Sequence, residues 1–257
     1  MNFKWWPLRR TLQLSVIALI ASPLFGLTVF RGNLSAGELF GIGLADPLAF
    51  LQATIASHVF VVSFLGSAAL VAGFYFLVGG RTFCGWVCPV YLLTELGDKL
   101  RRRLGTGQRT FALSGIRWSF AVTIFISLVA GIPLFEILSP IGITTRAVMF
   151  QAWLPLLLVL AILAAEVVVV PHVWCRSLCP VGGFYSLLGH FSPLRVGFTP
   201  HLCTHCGECT HVCPVEEVLA PSLEEGRLQI TSGNCTRCGD CIDICPTKAL
   251  AVNIWYS

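Results

Sequence analysis

The pattern Cys-x2-Cys-x2-Cys-x3-Cys-Pro occurs twice between residues 203 and 246 and constrains this chain more than any other feature. In the first copy Cys203, Cys206, Cys209 and Cys213 precede Pro214; in the second Cys235, Cys238, Cys241 and Cys245 precede Pro246. Three thiolates two residues apart occupy one tight loop and can hold three irons of a cubane, while the fourth, beside proline, reaches across to the other cluster. The spacing therefore predicts two [4Fe–4S] clusters. One takes Cys203, Cys206, Cys209 and Cys245, and the other takes Cys235, Cys238, Cys241 and Cys213. Gly207 and Gly239 fall in the tight loops, where a small residue permits unusual backbone angles. A lone Cys-x2-Cys pair would leave a zinc site or a disulfide framework open; two complete runs disfavour both.

The rest of the chain reads as membrane. Hydrophobic residues make up 55% and charged residues 12%, against about 25% charged in a soluble domain, and mean hydropathy is +0.78. Residues 11–30, 47–80, 118–135 and 147–165 carry no charge, and a span needs about 20 apolar residues. The expectation is four transmembrane helices, the second near 54–78, with the first retained rather than cleaved as a signal peptide. Lys and Arg number three before the first stretch, then one, seven and one in the following connections. The positive-inside rule then puts both termini and the 79–117 loop in the cytoplasm. The chain thus reads as a multi-pass protein of the bacterial inner membrane, with its cysteine-rich head cytoplasmic. That compartment suits twelve cysteines kept as thiolates.

A second cysteine motif recurs in the stem. Cys84 and Cys88 precede Pro89, and Cys175 and Cys179 precede Pro180, at an offset of 91 residues. Pro-Leu-Phe at 23–25 recurs at 133–135, so the stem reads as two parallel helical hairpins. The four stem cysteines match the ligand count of a further cluster or metal, and the other reading is structural or redox-active thiols. The prolines are expected to end or bend helices. Between the motifs, Leu93, Leu96, Leu100 and Leu104 recur at helical spacing beside Arg101, Arg102 and Arg103. That segment reads either as an interfacial amphipathic helix or as an ordinary basic loop.

Ionisable groups within apolar stretches are functional candidates. Glu166 and His58 are the candidates for a quinol site, one able to accept a proton while a nearby centre takes the electron. Glu136, at the end of the third stretch, suits snorkelling to the interface. His172, His190, His201, His205 and His211 fall outside the stretches and read as solvated, with His205 and His211 close enough to the cysteine loop to tune a cluster. Residues 1–182 form the expected stem, 183–197 a linker and 198–257 a small α+β head of two-cluster type, with strands at Leu228–Thr231 and Ala249–Ile254. The head holds three Lys/Arg and seven Asp/Glu. Its acidity argues against nucleic acid and suits either solubility or a basic redox partner.

The head runs are those of bacterial two-cluster ferredoxins. Four apolar helices, Cys84-x3-Cys88-Pro, Cys175-x3-Cys179-Pro and then two ferredoxin runs resemble the NapH family across nearly the whole chain. Asp46-Pro47-Leu48 and Trp174-Cys175 look alike as well. That resemblance implies an electron-transfer component of a quinol dehydrogenase rather than a stand-alone enzyme. Electrons would pass from quinol to a partner iron–sulfur protein and a membrane or periplasmic c-type cytochrome, and on to a periplasmic nitrate reductase. Two alternatives belong to other classes: a membrane ferredoxin that assists metal-cofactor assembly, and a non-catalytic anchor for a reductase complex.

Overall fold

The structure is a computed structural model that describes residues 4–26, 30–32, 35–59, 62–104, 115–135, 139–140, 142–143, 154–168 and 172–254. Glu136 lies outside the described residues. The helices of the first part of the chain are α1 (Trp5–Ala21), α2 (Pro47–Ser57), α3 (Val62–Val78), the five-residue α4 (Thr82–Trp86), α5 (Pro89–Leu104), α6 (Gly115–Ala130), α7 (Leu154–Val168) and α8 (Pro180–His190). Short helices α9 (Glu208–Val212), α10 (Ala220–Leu223) and α11 (Asp240–Ile244) follow. Strands β1 (Phe30–Gly32), β2 (Ala36–Leu39) and β3 (Ile42–Ala45) form one antiparallel sheet, and β4 (Leu194–Phe198), β5 (Gln229–Ile230) and β6 (Leu250–Ile254) form another.

No helix among the described residues is long and apolar enough to cross a membrane. Helices α1 and α3 have 17 residues each, α6 has 16 and α7 has 15. At 1.5 Å per residue these reach about 22–26 Å, short of the roughly 30 Å of a hydrocarbon core. The expectation of four transmembrane helices in two parallel hairpins is corrected accordingly. The chain is mostly helical, with two small antiparallel sheets. The physical cause is chain breaks inside apolar sequence. Helix α1 stops at a 3-10 turn containing Pro23 and closed by left-handed Gly26, because proline cannot donate to a continuing helix. The 47–80 stretch breaks at His58, whose φ of 54° ends α2. The multi-pass orientation drawn from the basic loops loses the spans it was meant to orient.

Packing divides the described chain into two compact units. The first comprises residues 1–13, 74–87 and 185–257. Its sheet has the order β5-β4-β6, so β4 lies between the two expected strands, pairing Val196 with Ile230 and Leu194 with Ile254. Residues 183–197, expected as a linker, hold most of α8 and most of β4. Val196, Phe198, Ile230 and Leu250 bury the sheet's inner face. The C-terminal half of α8 is gripped from two sides. A Cβ at Gly80 would collide with the Tyr185 carbonyl, and one at Gly233 with the Ser186 carbonyl. Both obstacles are backbone, which cannot rotate away. Gly80→Ala and Gly233→Ala should each destabilise this unit by about 1–3 kcal/mol. Thermal melts with no loss of midpoint in either variant would refute this close approach.

The second unit comprises residues 14–73 and 88–184. Helix α2 begins at Pro47, with the Asp46 carboxylate accepting hydrogen bonds from the Leu48 and Ala49 N–H groups at 2.8 and 3.1 Å, a proline-plus-cap start. Pro89 and Pro180 likewise begin α5 and α8 rather than ending helices; proline at the first helical position costs no hydrogen bond. Helix α5 packs against α7 with Tyr91, Thr94 and Arg101 buried, while Leu96, Leu100 and Leu104 are exposed. Three of the four leucines of the stripe read from the sequence therefore face outward, while Tyr91, Thr94 and Arg101 face the protein.

Candidate metal centres

The two cysteine runs repeat one local geometry at an offset of 32 residues. The residue before the second cysteine of each run is left-handed, His205 at φ 54° and Arg237 at φ 49°. The glycine after it is left-handed too, Gly207 at 77° and Gly239 at 84°. Each glycine caps a five-residue helix, α9 or α11, that carries the third cysteine. The fourth cysteine follows in extended conformation, Cys213 at ψ 122° and Cys245 at ψ 113°. Two left-handed residues, one on each side of the second cysteine, curl each loop so that its thiols share one side, and glycine bears the second such position without steric cost. Helices α9 and α11 pack on each other.

The thiols gather into two sets, each completed from the other run. Cys203, Cys206, Cys209 and Cys245 line one cavity with Phe198 and Leu250. Cys213, Cys235, Cys238 and Cys241 line a second with Val196 and Ile230. All these cysteines are free thiols. Burial, ahead of repulsion from Asp240, pushes Cys238 up to about 12, with Arg9 opposing. Cys213 and Cys241 are also raised, first by burial and then by neighbouring cysteines. At Cys245 burial raises the pKa but the Thr247 hydroxyl and backbone N–H groups outweigh it, for a net lowering. Thiolates so disfavoured need compensating cationic charge. Four cysteine sulfurs around each apolar-walled cavity fit the donor set of an iron–sulfur cubane.

The second run is enclosed by side chains that sequence reading missed. The Asp243 carboxylate accepts the backbone N–H groups of Trp5 and Trp6, both at 2.9 Å, and so caps α1 from a distant part of the chain. Arg9, fully buried, donates to Asp240 at 2.8 Å. Arg81, also buried, donates to the Asn234 carbonyl at 3.2 Å. Trp86 Nε1–H donates to the Arg237 carbonyl at 3.0 Å. No sequence signal marks these pairings, which join residues more than 150 positions apart.

The stem cysteines divide between units. Cys84 lies on α4 in the first unit, and Cys88, Cys175 and Cys179 belong to the second. Cys84, Cys88 and Cys179 are buried and Cys175 is half-buried. Cys175 sits in a π-helical turn, Trp174–Leu178. His58 is exposed at the end of α2. An apolar cavity of about 350 Å³ lies beside it, lined by Ala49, Phe50, Phe64 and Pro133 among others, with no charged side chain in its wall.

Glu166, on α7, is 1% exposed, and neither carboxylate oxygen completes a hydrogen bond among the described residues. Burial raises its pKa to about 8; the Trp174 backbone N–H opposes the rise and Asp98, on α5, adds to it. His172, expected to be solvated, is 6% exposed. Its Nδ1 lies 3.1 Å from Thr94 Oγ1, and its ring stacks on Tyr91 at 6.0 Å. His190, His201, His205 and His211 are exposed as expected.

Comparison with known proteins bears on both cysteine systems. A family model described as a 4Fe-4S dicluster domain matches residues 195–246. A second, described as a 4Fe-4S binding domain, matches residues 60–107 and again 151–199, each match containing one Cys-x3-Cys-Pro motif. The chain is 37% identical over 236 residues to the methylamine utilization ferredoxin-type protein MauN of Paracoccus denitrificans, covering 90% of this chain and 83% of that protein. It is 35% identical over 237 residues to the ferredoxin-type protein NapH of Escherichia coli K12, with the same two coverages. NapH of Haemophilus influenzae is 35% identical over 226 residues, covering 86% of this chain and 78% of that protein. No solved structure matches the chain.

Proposed function

We propose, from the premise that the chain belongs to the NapH/MauN family of ferredoxin-type iron–sulfur electron-transfer proteins, that it passes electrons from quinol toward a periplasmic nitrate reductase. A partner iron–sulfur protein and a c-type cytochrome would receive them. The observation that carries this reading is the pair of four-cysteine sets, each closed by a cysteine from the other run. When bound, [4Fe–4S] clusters supply one-electron carriers. Two such sets match the two electrons that one quinol releases, together with two protons, on becoming quinone.

One of the two protons goes to Glu166, whose pKa, raised to about 8 by burial, lets its ionised fraction accept a proton near neutral pH and pass it on; the other goes to water. His58, exposed at the end of α2, is the other candidate for a proton role. Cys84 and Cys88, and likewise Cys175 and Cys179, are in this reading iron–sulfur ligands or redox-active thiols, supported by the paired 4Fe-4S binding-domain matches, one around each motif. Association with a membrane is supported by the mean hydropathy of +0.78 and by the outward leucines of α5, which suit the interface of a lipid surface.

The test is anaerobic addition of reduced quinol to the purified, cluster-loaded protein, followed by EPR. Reduced-cluster signals are expected, and slower in Glu166→Gln. Signals with dithionite but none with quinol would overturn quinol oxidation. A second reading, service in methylamine utilization, is favoured by the MauN relative at 37% identity. Deletion of the gene separates the two: loss of nitrate respiration supports the first, and loss of growth on methylamine the second.

A further inference from the structure

The two cysteine sets repeat one loop geometry, but the charges around the first are exposed and those around the second are enclosed. At corresponding positions of the repeat, the first run carries His205, Glu208 and His211 where the second carries Arg237, Asp240 and Asp243. His205, Glu208 and His211 are exposed, as is Lys248 near Cys245, so water and salt screen them. Around the second set the charges are enclosed. Arg9 and Arg81 are 0% and 1% exposed. Part-buried Arg237 donates from Nε to the Leu194 carbonyl at 2.8 Å and from Nη2 to the Gly189 carbonyl at 3.2 Å. Arg9 is anchored on Asp240 at 2.8 Å, between Cys238 and Cys241 in sequence. Arg81 grips the carbonyl of Asn234, the residue before Cys235. Buried Arg195 adds a further cation near Arg237. Asp240 and Asp243 supply the opposing negative charge, and both are engaged by α1.

Reduction adds an electron to a centre already ringed by four thiolates. Burial opposes that step, and a cation held in the same low-dielectric surroundings favours it with a strength that screening cannot erase. We propose that the guanidiniums of Arg9, Arg81 and Arg237 raise the reduction potential of the cluster on Cys213, Cys235, Cys238 and Cys241, and leave the Cys203 set almost untouched. The N-terminal helix is then a tuning element of electron transfer, holding Arg9 in place through its first-turn bonds to Asp243. These arginines are positioning residues; none is a ligand. The proposal rests on the reading that this cysteine set holds a [4Fe–4S] cluster.

The experiment is a potentiometric titration of the full-length, cluster-loaded protein followed by EPR, after assay of iron and acid-labile sulfide. Arg9→Gln should lower one couple, changing its reduced-to-oxidised ratio at fixed potential about tenfold, or about 59 mV for one electron. The other couple should stay in place. Arg9→Lys, which keeps the charge, should restore most of the shift, an outcome that packing alone would not produce. Asp240→Asn should move the same couple upward, and serves if Arg9→Gln fails to assemble. Both couples unmoved in a loaded variant, or both moved equally, would overturn the tuning. Wild-type protein lacking iron and sulfide would overturn the cluster reading beneath it.

Discussion

Cys241→Ala is expected to lower bound iron by about four per chain and to destabilise the first unit more than any surface change could. Cys241 is 8% exposed on α11. It lies between Asp240, which anchors Arg9, and Asp243, which caps α1. Loss of the second cluster leaves buried thiols without cationic compensation and frees the loop that Arg81 and Trp86 grip. A structural metal site supplies about 10–16 kcal/mol in small zinc domains. Even about 3 kcal/mol would lower the melting midpoint by roughly 12–24 °C in a unit of about 100 residues. Cys206→Ala makes the contrast, because Cys206 is exposed and its run carries no buried arginine. It should lose a similar amount of iron with a smaller fall in midpoint. Iron analysis and calorimetry on both variants check this, and equal falls would refute the asymmetry.

Stability should decline as pH rises from about 4.5 to about 8, and Glu166→Gln should flatten that decline. Burial raises the folded carboxyl from 4.5 to about 8, opposed by the Trp174 N–H and reinforced by Asp98. Between those values the folded chain keeps a proton that the unfolded chain has released. Stability therefore falls with rising pH, by up to about 1.4 kcal/mol per pH unit. It is fully present below pH 4.5 and fully lost above pH 8. Glutamine cannot ionise, so the variant should be the more stable protein at pH 9 and show no such slope in this window. If Glu166 also takes quinol protons, quinol-driven cluster reduction in the variant should slow by about a hundredfold. Melting midpoints of both proteins from pH 5 to 9 decide the first claim, and parallel curves would sink it.

The ferredoxin runs were legible because their meaning is local. Spacing of two and three residues dictates a loop whatever surrounds it, and His205–Gly207 and Arg237–Gly239 adopt the same left-handed pairs. The apolar stretches misled for the complementary reason. Hydropathy measures composition, while a span also requires an unbroken helix, and Pro23 with Gly26 and left-handed His58 interrupt two of them. The leucines of α5 show the same limit: their period was visible in the sequence, but not which side of the helix met α7.

Sequence alone determined the membership of each cysteine run, the glycines that turn it and the recurrence of Cys-x3-Cys-Pro, all set by covalent spacing over a few residues. Only the tertiary structure decided that Arg9, Arg81 and His172 are buried. Composition gives each the look of a solvated residue. Burial of a charge depends on partners such as Asp240 and Asn234, which lie 231 and 153 positions away, and separations of that size are fixed by how the chain packs.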